Sequence, residues 1–267
     1  MLLVFVFLGL AAALLVVSPV VLTAGRWQVR FPRTALTLWF VAFFAGCAAA
    51  VASVVAAIVL AIGGGAVLGG EAVVATVIAW LSLAAIGAVI AIIAAASEPL
   101  SGVHRQELQT LVPLVSSREQ RKGFVLARFS EEAPIACAVR WPERMILVST
   151  GMLGALTPPQ VQAVLAHERA HLRGRHDWAM RIAQINAACL PTRLPAGAAL
   201  RRATALLIEL MADDAAARQA GAVNLANALL RMAELTDDAS MRLRAERLTL
   251  RRWPSVRRVR VPDAVRV

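Results

Sequence analysis

Three observations predict a mainly α-helical chain, with N-terminal transmembrane helices followed by an α+β domain that holds a small antiparallel sheet. The first third of the 267 residues carries three long apolar runs; after residue 97 the apolar runs shorten, and charges become frequent among short β-branched segments; and helix-start signals with helical spacing dominate the remainder. The overall composition agrees, with 59% hydrophobic residues and a mean hydropathy of +0.67, above the soluble norm.

The apolar runs are Leu2 to Thr23, Ala35 to Ile62 and Ala72 to Ala96, each free of charge and long enough for the roughly 20 residues of a spanning helix. A cleaved signal peptide is the alternative for the first run. No Lys or Arg precedes it, and it exceeds the roughly 7–15 residues of an ordinary signal core. Arginine placement sets the orientation, because short cytoplasmic loops retain positive charge. Arg26, Arg30 and Arg33 follow the first run, only Glu71 is charged between Gly63 and Glu71, and Arg105, Arg118, Arg121 and Lys122 follow the third. The N-terminus is therefore expected outside, with everything after about Ser97 in the cytoplasm.

Phe124 to Phe129, Ile135 to Val139 and Met145 to Ser149 are short apolar segments parted by Ser130 to Pro134 and by Trp141-Pro142-Glu143-Arg144. They predict the antiparallel sheet. Thr157 as N-cap, Pro158 in the first turn and Gln160 completing a Thr-x-x-Gln capping box start a helix that Gly174 stops, over about Pro158 to Arg173. Trp178 to Leu190 is amphipathic and ends at Pro191; it is either a membrane-surface segment or a plain connecting helix. Further helices are expected over Ala198 to Gln219 and Val223 to Leu235. This divides the chain into a membrane region (1–97), a cytoplasmic domain (98–240) and a basic tail (241–267).

The chemistry sits in Val164 to His176, "VLAHERAHLRGRH". On a helix His167 and His171, four residues apart, share a face and can each offer a ring nitrogen to one zinc ion. Glu168 lies about 100° round the helix, too offset to be a ligand there but able to reach a water in the open coordination position as general base. A catalytic zinc site usually needs a third protein ligand. "IELMADD" supplies Glu209 with Asp213 on the same helical face among Leu206, Leu207, Leu210 and Met211. Carboxylates in such company need a cationic partner. Asp213 could also accept the second ring N–H of His167 or His171. The competing readings are two ordinary surface histidines and a solvated acidic pair.

These stretches resemble the gluzincin metallopeptidases, and "ILVSTGMLGALTPPQVQAVLAHERAHLRGRHDW" with "LIELMADDAAARQAG" looks like the membrane peptidases related to bacterial β-lactam-sensing receptor proteases. The HtpX-like and CAAX prenyl proteases are the second choice. The resemblance implies a zincin-like metallopeptidase domain holding one Zn2+, with ligation by His167, His171 and Glu209, catalysis by Glu168 and support from Asp213. It also makes Met145 to Ser149 a candidate edge strand for an extended substrate.

Two features depart from that pattern. Sensor members of that group bear an extracellular ligand-binding domain after another spanning helix, whereas a basic tail is what the sequence here shows after the peptidase portion, so direct β-lactam sensing is not expected. The chain has no tyrosine, which removes a tyrosyl hydroxyl as oxyanion stabiliser; His176 is the candidate, with Arg175 and His104 as alternatives by location.

The net charge of +11 falls mainly in loops and tail. The tail interleaves Arg242, Arg244, Arg247, Arg251, Arg252, Arg257, Arg258 and Arg260 with Leu248, Leu250 and Trp253. That pattern suits either anionic lipid headgroups or disorder, and no specific nucleic-acid signature is present. Cys47, Cys137 and Cys189 are too widely spaced for a disulfide framework or a cysteine zinc site. The expected partners are a protein or peptide substrate and the lipid bilayer. Beside the membrane zinc endopeptidase stand a signal transducer or scaffold with structural zinc, and a metal-free structural protein.

Overall fold

The computed structural model describes residues 2–25, 27–63, 115–140, 143–174, 176–189 and 195–253, together with residues 73, 74, 76, 77, 80 and 81. The chain divides into two compact units, one of residues 1–105 and 177–208, the other of 106–176 and 209–267.

In the first unit α1 (Leu2–Ala12), a π-helical turn (Ala13–Val17) and α2 (Ser18–Thr23) continue one another. Pro19 has no N–H to return to the preceding turn, and the wider π turn lies just before it, as such turns often do where the regular ladder is broken. After the short α3 (Trp27–Arg30) comes α4 (Pro32–Gly63). These two stretches are long and apolar enough to cross a membrane. They pack closely: Ser53 Oγ donates to the Val4 carbonyl at 3.0 Å, and a Cβ on Gly46 would lie 2.7 Å from Leu15. Most of the third apolar run, Ala72 to Ala96, lies outside the described residues.

The segment with two predicted fates, Trp178 to Leu190, is the helix α7 (His176–Cys189). Trp178 packs against Phe40 and Phe44 of α4, with ring centroids 5.9 and 6.3 Å away.

The second unit is built on four strands, β1 (Val115–Arg121), β2 (Phe124–Phe129), β3 (Ala136–Val139) and β4 (Met145–Ser149), in the order β1-β2-β4-β3. The predicted antiparallel sheet needs two corrections. It has a further strand, β1, whose polar sequence with five exposed positions hides a strand from any apolar pattern. It is also mixed, because β4 runs parallel to β2 and antiparallel to β3.

A hydrogen-bonded crossover places β4 between its neighbours. Ser149 Oγ donates to the Ala133 carbonyl at 2.6 Å and accepts from the Ile135 N–H at 2.9 Å; the Gly151 N–H donates to the Glu131 carbonyl at 2.8 Å. The crossover lies so close that a Cβ on Gly151 would stand 1.9 Å from the Glu132 carbonyl oxygen. Met145 to Ser149 is thus an interior strand rather than the predicted edge. The edges are β1 and β3.

Both sheet faces are apolar. Phe124, Leu126, Ile146 and Val148 pack with Val164, Leu165 and Met232, while Val125, Ala127, Phe129 and Leu147 form a second cluster on the other face. The helices of this unit are α5 (Thr150–Ala155), α6 (Pro158–Gly174), the second half of α8 (Pro195–Ala220), α9 (Ala222–Thr236) and α10 (Ala239–Leu250). Alanines let them approach: Ala163, Ala166, Ala216, Ala217, Ala226 and Ala245 surround Leu225, Leu229 and Leu248. Residues 241 to 250, expected in a loose basic tail, are most of α10, a helix with Arg244, Ala245 and Leu248 buried. Farther on, Arg257, Arg258, Arg260 and Arg266 lie outside the described residues.

Candidate metal centre

The capping box that starts α6 is present, with the Thr157 N–H donating to Gln160 Oε1 at 2.8 Å. From that start the helix turns Ala163, Val164 and Ala166 inward and carries His167 with them, leaving His167 7% exposed. One turn on, His171 Nε2 lies 3.0 Å from His167 Nε2. From α8, Glu209 Oε2 comes to 3.3 Å from His167 Nε2 and Oε1 to 3.4 Å from His171 Nε2. A tetrahedral ion with bonds of about 2.0–2.1 Å holds its ligand atoms about 3.3 Å apart. The separations of 3.0, 3.3 and 3.4 Å, the last two to different oxygens of Glu209, are close to that spacing, and the two-nitrogen, one-carboxylate donor set suits zinc.

Asp213, one turn beyond Glu209, is fully buried. Its Oδ1 lies 2.9 Å from His167 Nδ1, although the ring N–H does not aim straight along that contact. Of the two histidines offered to Asp213 by the sequence, His167 is the partner seen.

Arg244 was missed by the sequence reading. It is 9% exposed and donates through Nε to Asp213 Oδ2 at 2.8 Å and through Nη2 to Asp213 Oδ1 at 2.7 Å. Its Nη1 lies 2.9 Å from Glu209 Oε2. The available signal was the spacing of Met241, Ala245 and Leu248, which marks an apolar helical face through the tail.

The charges shift accordingly. Burial would lower the basicity of His167, but Asp213 and Glu209 outweigh it and raise its pKa to about 9. Burial pushes Glu209 and Asp213 up, yet their cationic neighbours win. His167 and Arg244 hold Glu209 at about 2, and Arg244 with His167 holds Asp213 at about 2. Glu168 moves the other way: burial raises its carboxyl, reinforced by the Glu209 charge, against the pull of His167 and a backbone hydrogen bond from Ala138.

That last contact places β3 at the site. Ile135 and Ser149 are a hydrogen-bonded pair, so the alternation of an antiparallel ladder makes Ala136 and Ala138, opposite Val148 and Ile146, non-bonded positions with outward backbone groups. The edge strand beside the motif helix is β3.

Of the predicted site residues, the structure brings together His167, Glu168, His171, Glu209 and Asp213. His176 is the first residue of α7, but its side chain lies outside the described set, as do Arg175 and His104.

Comparison with known proteins adds one match. A model of peptidase family M48, the family of HtpX- and Ste24-like zinc metallopeptidases, covers residues 102–252, more than half of the chain. It favours the second of the two resemblances over the first. No curated protein and no solved structure matches.

Proposed function

This chain belongs to peptidase family M48, and from that premise we propose that it is a membrane-embedded, zinc-dependent endopeptidase. Its substrate is a membrane-associated or cytoplasmic protein. The observation that carries this reading is the convergence of His167, His171 and Glu209, from two helices, with ligand atoms within 4.8 Å of one another.

In this reading the three residues hold one zinc ion, which when bound supplies Lewis acidity and an acidified water. Glu168 accepts the proton of the attacking water and passes it to the leaving amine. The upward push that burial gives its carboxyl suits a base working near neutral pH, and the Ala138 N–H keeps it turned toward β3. Asp213 holds the His167 ring so that Nε2 faces the ion. An extended substrate adds to the outer edge of β3 through the outward backbone groups of Ala136 and the outward carbonyl of Ala138. His176 remains the proposed oxyanion stabiliser.

The two apolar N-terminal stretches support anchoring in a cell membrane. Arginine placement supports a multi-pass chain with the peptidase part on the cytoplasmic side.

The test compares the proteomes of cells carrying the native chain and Glu168→Gln, alongside the zinc content of both purified proteins. Fragments present only with the native chain, and equal zinc in both, are expected; general-base loss is worth roughly 10²–10⁴-fold in rate. Undiminished cleavage by Glu168→Gln would remove the assigned base. Stoichiometric zinc with no cleavage by the native chain would point instead to a transducer or scaffold.

A further inference from the structure

On α10, Arg244 and Arg247 stand at i and i+3 on one helical face, and Arg251 is the extended residue that caps the helix C-terminus. On α8, Glu209, Asp213 and Asp214 receive them. Arg247 Nη1 donates to Asp214 Oδ1 at 2.8 Å and Arg251 Nη1 to Asp214 Oδ2 at 2.9 Å. Arg244 alone reaches the residues around His167, with three nitrogens on two carboxylates one turn apart and Nη2 3.5 Å from His167 Nε2.

A buried ion pair is by itself weak evidence of stabilisation, since desolvation offsets much of the attraction. The geometry says more. A planar guanidinium binding Asp213 through two parallel N–H bonds fixes the plane of that carboxylate, and the third nitrogen fixes the rotamer of Glu209 from the same rigid group. Neither carboxylate can turn from His167 without breaking a charge-assisted bond.

A fixed positive charge this near the ligands also repels a divalent ion. The two effects predict opposite signs on removal of the arginine, which makes the choice between them measurable.

We propose that Arg244 is a positioning residue of the metal centre: its fork presets Asp213 and Glu209, so that docking of α10 and metal binding are linked. This rests on the reading of His167, His171 and Glu209 as metal ligands. By linkage, metal binding must then strengthen the docking of α10 as much as docking strengthens metal binding.

The test uses the full chain in mild detergent as native, Arg244→Gln, Arg244→Lys and Arg251→Gln. Zinc affinity is measured by chelator competition, and the visible absorption of cobalt(II) reports ligand geometry. Disturbing partners of metal ligands weakens affinity roughly 10–100-fold. A loss of that size with an altered cobalt spectrum is expected for both Arg244 variants, the lysine keeping the charge but not the fork. Arg251→Gln should match the native protein.

Native or tighter affinity in either Arg244 variant would overturn the proposal. So would an equal loss in Arg251→Gln, which would reduce Arg244 to one of several bonds holding the helix. Should the Arg244 variants fail to fold, hydrogen exchange of the native chain decides: zinc should slow the amides of Ala239–Leu250, and unchanged exchange there overturns the linkage. A native chain that takes up no metal overturns the metal-centre reading and Arg244's role together, whereas native-like binding by Arg244→Gln overturns only the latter.

Discussion

Replacing Asp213 with Asn tests the charge network in its most enclosed part. Asp213 has no exposed surface, accepts two N–H bonds from Arg244 at 2.8 and 2.7 Å and faces His167 Nδ1 at 2.9 Å. Asn keeps the volume but removes the charge, and it turns one acceptor into a donor facing a guanidinium donor. Removing one partner of a buried ion pair costs roughly 3–5 kcal/mol. Arg244 retains Glu209, so the lower end applies, about 3 kcal/mol, to be read from denaturant unfolding of the metal-free protein.

The pH dependence carries a second, sharper signature. Arg244 and His167 hold the folded pKa of Asp213 at about 2, below its ordinary 3.8. A depressed folded pKa means a contribution present above about pH 4 and lost as pH falls toward 2. The native protein should therefore exceed Asp213→Asn in stability by the full amount near pH 6, and the gap should close on acidification. A gap under about 1 kcal/mol near pH 6, or one that acid leaves unchanged, would refute the assigned network.

Other perturbations probe the rest of the site. His167, raised to about 9 in the metal-free fold, must lose its proton to bind an ion. Zinc affinity should thus rise between about pH 6.5 and 9 with proton release seen by calorimetry in two buffers, and a flat affinity would contradict this. The same raised pKa gives the metal-free fold stability that is complete below about pH 6.5 and lost as pH rises through about 9. Gly151→Ala should destabilise by about 3 kcal/mol, the upper end for overpacking, because its Cβ would lie 1.9 Å from a backbone oxygen; a melting temperature within a degree or so of the native value would contradict the crossover geometry. Ala138→Pro removes an outward N–H without breaking the ladder to β4, as proline on an edge strand can. Cleavage should fall roughly hundredfold at unchanged zinc content, by loss of the bond that orients the base, and native-rate cleavage would refute that orienting role of β3.

What the sequence disclosed was what local chemistry decides. Thr157, Pro158 and Gln160 mark the start of α6 through contacts within one turn, and the i, i+4 rule brings His167 and His171 together before any tertiary contact exists. Glu209 and Asp213 were legible for a different reason, because carboxylates among Leu206, Leu207 and Leu210 demand a cation wherever the helix lies. The place of β4 was not legible. Three short apolar segments in a row suit a meander equally well, and the crossover that separates β2 from β3 depends on Ser149 and Gly151 meeting residues 131–135, contacts with no local periodicity. A strand as polar as Val115–Arg121 shows none either.

Arg244 shows where reasoning from composition misleads. Nine arginines in the last 27 residues suggest lipid headgroups, since charge counted along a chain ignores which face each residue takes. Helical phase separates them: Arg244 falls between Met241 and Ala245 on the side that packs, whereas Arg242 is exposed. From the sequence, the demand of Glu209 was met with a metal and that of Asp213 with a histidine ring N–H, and any arginine was left out. The structure divides the demand differently. Glu168, Glu209 and Asp213 gather three carboxylates around one guanidinium, leaving two negative charges for a divalent ion to neutralise. The elevation of His167 to about 9 against the opposing effect of burial is that same deficit expressed through a proton, which a metal ion of charge two would displace and more than replace.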